Sequence, residues 1–219
     1  MHMIHIKPIN RSALAFAAIF LLTACATTFQ TGSSGKVLDQ ASLLPIDDAI
    51  VIATWWGSKS FALHPASVCA YVKTTKTDAN GKYSIHPWVG SVESGPIHNV
   101  SQEYHVYKPG YTYSGYGTNY KPDYLYMEKF AGNTQERLEY LRGVIGEASC
   151  GDDENQRQET IDLFREIYLE ALMITDNDEN NDVLKDIRYL MTIPWSNTSK
   201  SLLPEEAEMV FDKRIRPLL

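Results

Sequence analysis

An α+β fold is predicted: a β half built of antiparallel strands, followed by a C-terminal helical half. Three observations predict it. Ala49 to Trp56 is β-branched and aromatic on both faces, Asn80-Gly81 opens into the alternating strand Lys82 to Ile85, and from Asn133 onward apolar residues recur at helical spacing. The acidic balance, a formal net charge of −7, argues against nucleic acid as a partner.

The residues ahead of these elements read as a targeting segment. Lys7 and Arg11 form a basic n-region, and Ala13 to Leu22 is an uninterrupted apolar stretch, too short to span a bilayer. It ends in Leu22-Thr23-Ala24-Cys25, which resembles the lipobox of bacterial lipoproteins. The resemblance implies a signal peptide over 1–24, with Cys25 lipidated as the new N-terminus. Ala26, standing where aspartate favours inner-membrane retention, implies sorting to an outer membrane with the domain facing the periplasm. The membrane is then a partner through the N-terminal lipid, because several acyl chains anchor firmly where one does not. Removing Lys7 and Arg11 takes the net charge to about −9. About 195 mature residues are enough for a real core.

Residues 25–35 read as the lipidated cysteine and a small, polar tether. Lys36 to Asp39 follows as a short strand, and Pro45 to Asp48 as a turn into the central strand Ala49 to Trp56. Ser58 to Ser67 reads as a loop, and Val68 to Lys76 as a strand. At Thr77 to Gly81, Asn80-Gly81 supplies the positive φ of a tight turn and Asp78 can accept from nearby amides, which predicts an antiparallel hairpin with Lys82 to Ile85. Tyr83 and Ile85 should face the core. A polar loop from Val89 to Asn99 leads to a strand at Tyr104 to Tyr107, a turn at Lys108 to Tyr111, a tyrosine-rich loop to Tyr126, and a last strand at Tyr124 to Glu128.

Residues 131–219 read as helical. Asn133-Thr134 caps a helix carrying Leu138, Leu141 and Ile145. A second helix begins at Asp152-Asp153 with the stripe Ile161, Phe164, Tyr168, Ala171 and Leu172. A third runs from Val183 to Met191, and Pro204 opens a fourth that reaches Ile215. With Cys25 lipidated, Cys69 and Cys150 remain, an even pair in an oxidising compartment, so a disulfide joining the two halves is expected.

Pro45-Ile46-Asp47-Asp48-Ala49, Thr77-Asp78-Ala79-Asn80-Gly81-Lys82-Tyr83 and Tyr107-Lys108-Pro109-Gly110-Tyr111 stand in the order found in carboxypeptidase regulatory-like domains. The resemblance covers about Lys36 to Lys129 within residues 36–130. It implies a transthyretin-like antiparallel β-sandwich, used in that family as a non-catalytic module. The helical extension, 131–219, lies outside it and should pack on the sandwich. The longer segment between Gly57 and Val68 and the tyrosine-rich loop depart from the family pattern.

No catalytic motif accompanies this fold. Neither His-x-x-Glu nor His-Glu-x-x-His occurs: His64 and His86 precede prolines, His98 precedes Asn99, and His105 lies in a strand, so only a zinc site assembled from distant residues remains open. Gly-x-Ser-x-Gly is absent, and Cys69 and Cys150 are too far apart for a redox pair. Asp176 to Asp182 starts like an EF-hand loop but has Asn181 where glycine belongs and Ile187 where the bidentate glutamate belongs. No cofactor is expected.

The candidate binding surface is aromatic: Trp55, Trp56, Tyr113, Tyr116 and Tyr120, residue types suited to a glycan or an envelope protein. The same residues can instead pack the long loops against the domain. The expectation is therefore a lipid-anchored envelope lipoprotein acting as a non-catalytic binding or structural module. The alternative is a small periplasmic hydrolase with its site at the junction of sandwich and helices.

Overall fold

The computed structural model describes residues 27–61, 64–91, 97–113, 115, 123–150, 154–176, 181–192 and 211–218. The predicted signal segment, Cys25, Tyr116 and Tyr120 lie outside the described residues, as does the start of the predicted fourth helix. The strands are β1 (Thr27–Gln30), β2 (Ser33–Asp39), β3 (Ile50–Phe61), β4 (His64–Lys76), β5 (Lys82–Ile85), β6 (Trp88–Ser91), β7 (His98–Tyr107), β8 (Tyr111–Tyr113) and β9 (Tyr124–Lys129). The helices are α1 (Thr134–Ala148), α2 (Glu154–Ile174) and α3 (Asp182–Thr192), followed by a π-helical turn at Phe211–Ile215 and a 3-10 turn at Arg216–Leu218. The α+β class is thus observed, with one sheet mixed.

β3 is the middle strand of an antiparallel sheet of order β4-β3-β7. One face of this sheet meets a four-stranded sheet of order β5-β2-β9-β8, and the shared core holds Val37, Val51, Ala53, Tyr83, Ile85, Leu125 and Met127. Its other face, through Ile50, Ile52, Val72 and Tyr107, packs on Leu138, Leu141, Ile145, Phe164, Ile167 and Phe211 of the helical half. A strand covered on both faces has no polar face, which is why its sequence does not alternate. The four-stranded sheet departs from the antiparallel expectation, because β2 pairs parallel with β9 (Val37 opposite Leu125).

Four sequence expectations are corrected here. The tether ends early: β1 pairs with β6, and β2 already starts at Ser33. Its small residues reflect close approach, since a Cβ on Gly32 would stand 2.5 Å from the Ile85 carbonyl oxygen. The loop from Ser58 to Ser67 is largely strand, β3 and β4 pairing as far as Phe61 and His64. The loop from Val89 to Asn99 likewise contains the end of β6 and the start of β7.

The fourth correction concerns the turn at Thr77 to Gly81, which joins two sheets. β5 pairs with β2, not with β4. Its local chemistry is as expected: the Asp78 carboxylate accepts from the Asn80 and Lys82 amides, and Gly81 has φ +69°. Thr77 carries the chain across the edge, its hydroxyl accepting from the Ala49 amide and donating to the Ile46 carbonyl, both at 2.8 Å. Tyr83 and Ile85 are buried while Lys82 and Ser84 are exposed.

α1 opens with a full capping box: Asn133 Oδ1 accepts from the Glu136 amide at 3.0 Å, and Glu136 accepts from the Asn133 amide at 2.9 Å. Such a cap contributes about 1 kcal/mol. On α2 the predicted residues Ile161, Phe164, Tyr168 and Ala171 are buried. The links that fix the helices to the sheets include a disulfide and a buried ion pair. Cys69 on β4 and Cys150 after α1 form the disulfide, with Cα atoms 5.4 Å apart. Arg137 on α1 and Glu170 on α2, both buried, form a bidentate pair against the β7–β8 turn.

Candidate functional site

Of the predicted aromatic surface, Trp55, Trp56 and Tyr113 lie among the described residues. Trp55 and Trp56 are neighbours on a strand and so point to opposite faces. Trp55 is fully buried between the sheets, 5.7 Å from the Tyr71 ring and 6.2 Å from Trp88, so it belongs to the core and not to a surface. Trp56, on the helix-facing side, is half-buried, and its indole N–H donates to the Thr54 hydroxyl at 3.2 Å. Tyr113 is also half-buried; its backbone amide donates to the Tyr140 hydroxyl, and burial raises its phenol pKa. Trp55 belongs to the core between the sheets and Tyr113 packs against it.

The exposed aromatic pair is Tyr124 and Tyr126 on β9. They project from the outer face of the four-stranded sheet, 50% and 40% exposed, with rings stacked at 28° and centroids 6.5 Å apart. The register places Lys36 beside Tyr124 and Leu38 beside Tyr126, with Lys82 of β5 across from Lys36. Strand alternation makes this surface, since Leu125 and Met127 fill the core from the intervening positions. The face therefore offers two flat apolar rings with hydroxyl tips, flanked by two amines.

A cleft of about 810 Å³ lies nearby, lined among others by Asp39, Leu44, Lys108, Tyr111, Glu128 and Lys129. Its best-held acid serves a turn. Asp39 accepts from the amides of Ala41 and Ser42 and from the Ser42 hydroxyl, and these bonds, that from the Ser42 amide first, hold its pKa below the ordinary value. A carboxylate so stabilised is a poor general base.

At the junction of sheets and helices, Glu103 and His105 of β7 converge with Glu147 of α1, their nearest ligating atoms all within 4.8 Å of one another. Glu103 and His105 share a face because they are two apart on a strand. His105 Nε2 lies 3.7 Å from Glu147 Oε2, beyond hydrogen-bond range, and the ring meets Tyr113 edge-on at 6.2 Å. Burial lowers the His105 pKa, outweighing the opposite pull of Glu147 and Glu103. The sequence carried one half of this signal, Glu103-x-His105. Helical His-x-x-Glu spacings could not reveal it, and Glu147 joins only through the fold.

No family model matches the chain, and no curated protein matches it. Among solved structures, a 9R-lipoxygenase from Cyanothece PCC8801 aligns over 78% of this chain and 29% of that chain, with 9% identity and a TM-score of 0.22. A likeness this slight bears on neither fold nor chemistry.

Proposed function

We propose that this protein is a lipid-anchored lipoprotein of the cell envelope, facing the periplasm, that acts as a non-catalytic module binding an envelope glycan through Tyr124 and Tyr126. The exposed, stacked tyrosine pair carries the reading. Sugar rings present flat C–H faces that stack on such aromatics, and the phenol hydroxyls with Lys36 and Lys82 supply polar contacts at the rim. The finer fold assignment, a transthyretin-like sandwich related to carboxypeptidase regulatory-like domains, belongs to this proposal. Its support is the order of motifs and the core shared by two facing sheets. The parallel pairing of β2 with β9 is what that assignment must accommodate.

Anchoring is tested by fractionating cells that express the chain. The wild type should sediment with outer membranes and incorporate labelled palmitate, whereas Cys25→Ser should do neither; a Cys25→Ser protein that still carries label would refute lipidation at that residue. Binding is tested by co-sedimentation of the lipidated protein, in detergent, with purified peptidoglycan sacculi. Tyr124→Ser/Tyr126→Ser removes two contacts worth about 1 kcal/mol each, so affinity should fall roughly 30-fold while the unfolding midpoint hardly changes. Equal binding by wild type and double variant would reject the tyrosine face as the glycan site.

A second reading, a small hydrolase at the sheet–helix junction, is favoured by the convergence of His105 with Glu103 and Glu147. Among the described residues, no serine, threonine or cysteine hydrogen-bonds to His105 to serve as its nucleophile. The binding module is therefore the better-supported reading.

A further inference from the structure

We propose that Glu103, His105 and Glu147 form a binding site for one divalent transition-metal ion of the zinc class, which pins the C-terminal end of α1 to β7. The three side chains come from two elements that pack against each other, and each offers one ligand atom to a common point. Adjacent ligands on a tetrahedral ion bound at 2.0–2.2 Å stand roughly 3.3–3.6 Å apart. The 3.7 Å between His105 Nε2 and Glu147 Oε2 is close to that already. Glu147, whose side chain is 43% exposed, has room to rotate toward a common ion.

The electrostatics of the protein alone are unfavourable here. Two carboxylates gather at one point, and among the described residues no lysine or arginine makes an ion pair with either; the sole ion-pair contact of Glu147 is with His105. Glu147 also sits in the last turn of α1, a turn with no basic residue, where the helix dipole already disfavours negative charge. The His105 side chain, 11% exposed, makes no hydrogen bond among the described residues, which leaves an imidazole lone pair free to ligate. A dication answers all three: it neutralises both carboxylates, relieves the helix end and takes up the imidazole lone pair. One nitrogen with two carboxylate oxygens suits zinc, manganese or iron(II), whereas calcium and magnesium prefer all-oxygen sets. Three protein ligands leave a position open to water or a further donor.

The site would tie α1 to β7 close to the disulfide that ties the chain after α1 to β4, since Cys150 follows Glu147 by three residues. It is independent of the tyrosine face, so failure of either proposal leaves the other standing. The test uses the full lipidated chain, stripped with chelator and titrated in detergent with zinc chloride, by calorimetry and by thermal unfolding. One equivalent should bind with a dissociation constant of roughly micromolar or tighter. At a hundredfold excess over that constant the midpoint should rise by about 5–10 °C. Calcium chloride should leave the midpoint unchanged, and cobalt(II) should give a visible absorption band.

Glu147→Gln, on a half-exposed side chain, should fold normally and weaken zinc binding at least roughly tenfold, as should Glu103→Gln. The absence of a saturable site tighter than roughly 100 μM would overturn the proposal. So would binding undiminished in both variants, which would assign the metal to the other histidines.

Discussion

Glu170→Ala is expected to lower the unfolding free energy by about 3–5 kcal/mol, the loss incurred when one member of a buried ion pair is removed and the other stays behind. Glu170 accepts from Arg137 Nε and Nη2, both at 2.9 Å, from the Tyr107 hydroxyl at 2.9 Å and from the Gly110 amide at 3.2 Å. Arg137 also donates to the carbonyls of Tyr111 and Lys108, and its guanidinium stacks 5.0 Å from Tyr140 and 5.3 Å from Phe130. One carboxylate thus holds α1, α2 and the β7–β8 turn together. Burial first, and then the adjacent carboxylate, drive the Tyr107 pKa upward, so its hydroxyl remains a donor at any ordinary pH. In Glu170→Ala the Arg137 guanidinium, only 4% exposed in the wild type, would be left with no countercharge.

The double variant Arg137→Met/Glu170→Leu separates charge from packing. It removes both ions and keeps their volume, so it should be more stable than Glu170→Ala even though the two carbonyls, the amide and the phenol lose partners. Urea unfolding of the three proteins measures this. A loss below about 1 kcal/mol in Glu170→Ala would mean that solvent reaches the site and that the pair behaves as a surface salt bridge.

The sequence made local features legible, and the fold added partners that no local pattern encodes. β3 was readable because burial on both faces leaves its mark in every residue. α1 was readable from Asn133 and three apolar positions, and the disulfide from the even pair of cysteines left once Cys25 is set aside as the expected lipid-attachment residue. The partner of β5 was not, because Asp78 and Gly81 make the same turn whether the chain returns to its own sheet or crosses to another. Reading Trp55 and Trp56 as one surface overlooked the two-residue period of a strand. The same period, applied to Leu125 and Met127, would have turned Tyr124 and Tyr126 outward. Glu147, 42 residues after His105, could join its site only through the packing of α1 on β7.

Removing the Cys69–Cys150 disulfide should cost about 4.5 kcal/mol on the loop-closure model, for a sequence separation of 81. The closed loop contains β5 to β9 and α1, whereas α2 and α3 lie outside it. The loss should therefore come chiefly from the unfolded chain, which regains the freedom to separate its β strands from its first helix. Cys69→Ala/Cys150→Ala also deletes a sulfur from a fully buried site at Cys150, adding a packing term. Reduction of the wild type with dithiothreitol removes the link without removing atoms and isolates the constraint. Both should lower the urea midpoint. Both should also raise the denaturant slope, because a chain freed of its cross-link exposes more surface when it unfolds. A lowered midpoint with an unchanged slope would place the effect in the native packing around Cys150, and an unchanged midpoint would show that Arg137 and Glu170 already suffice to hold the helices on the sheet.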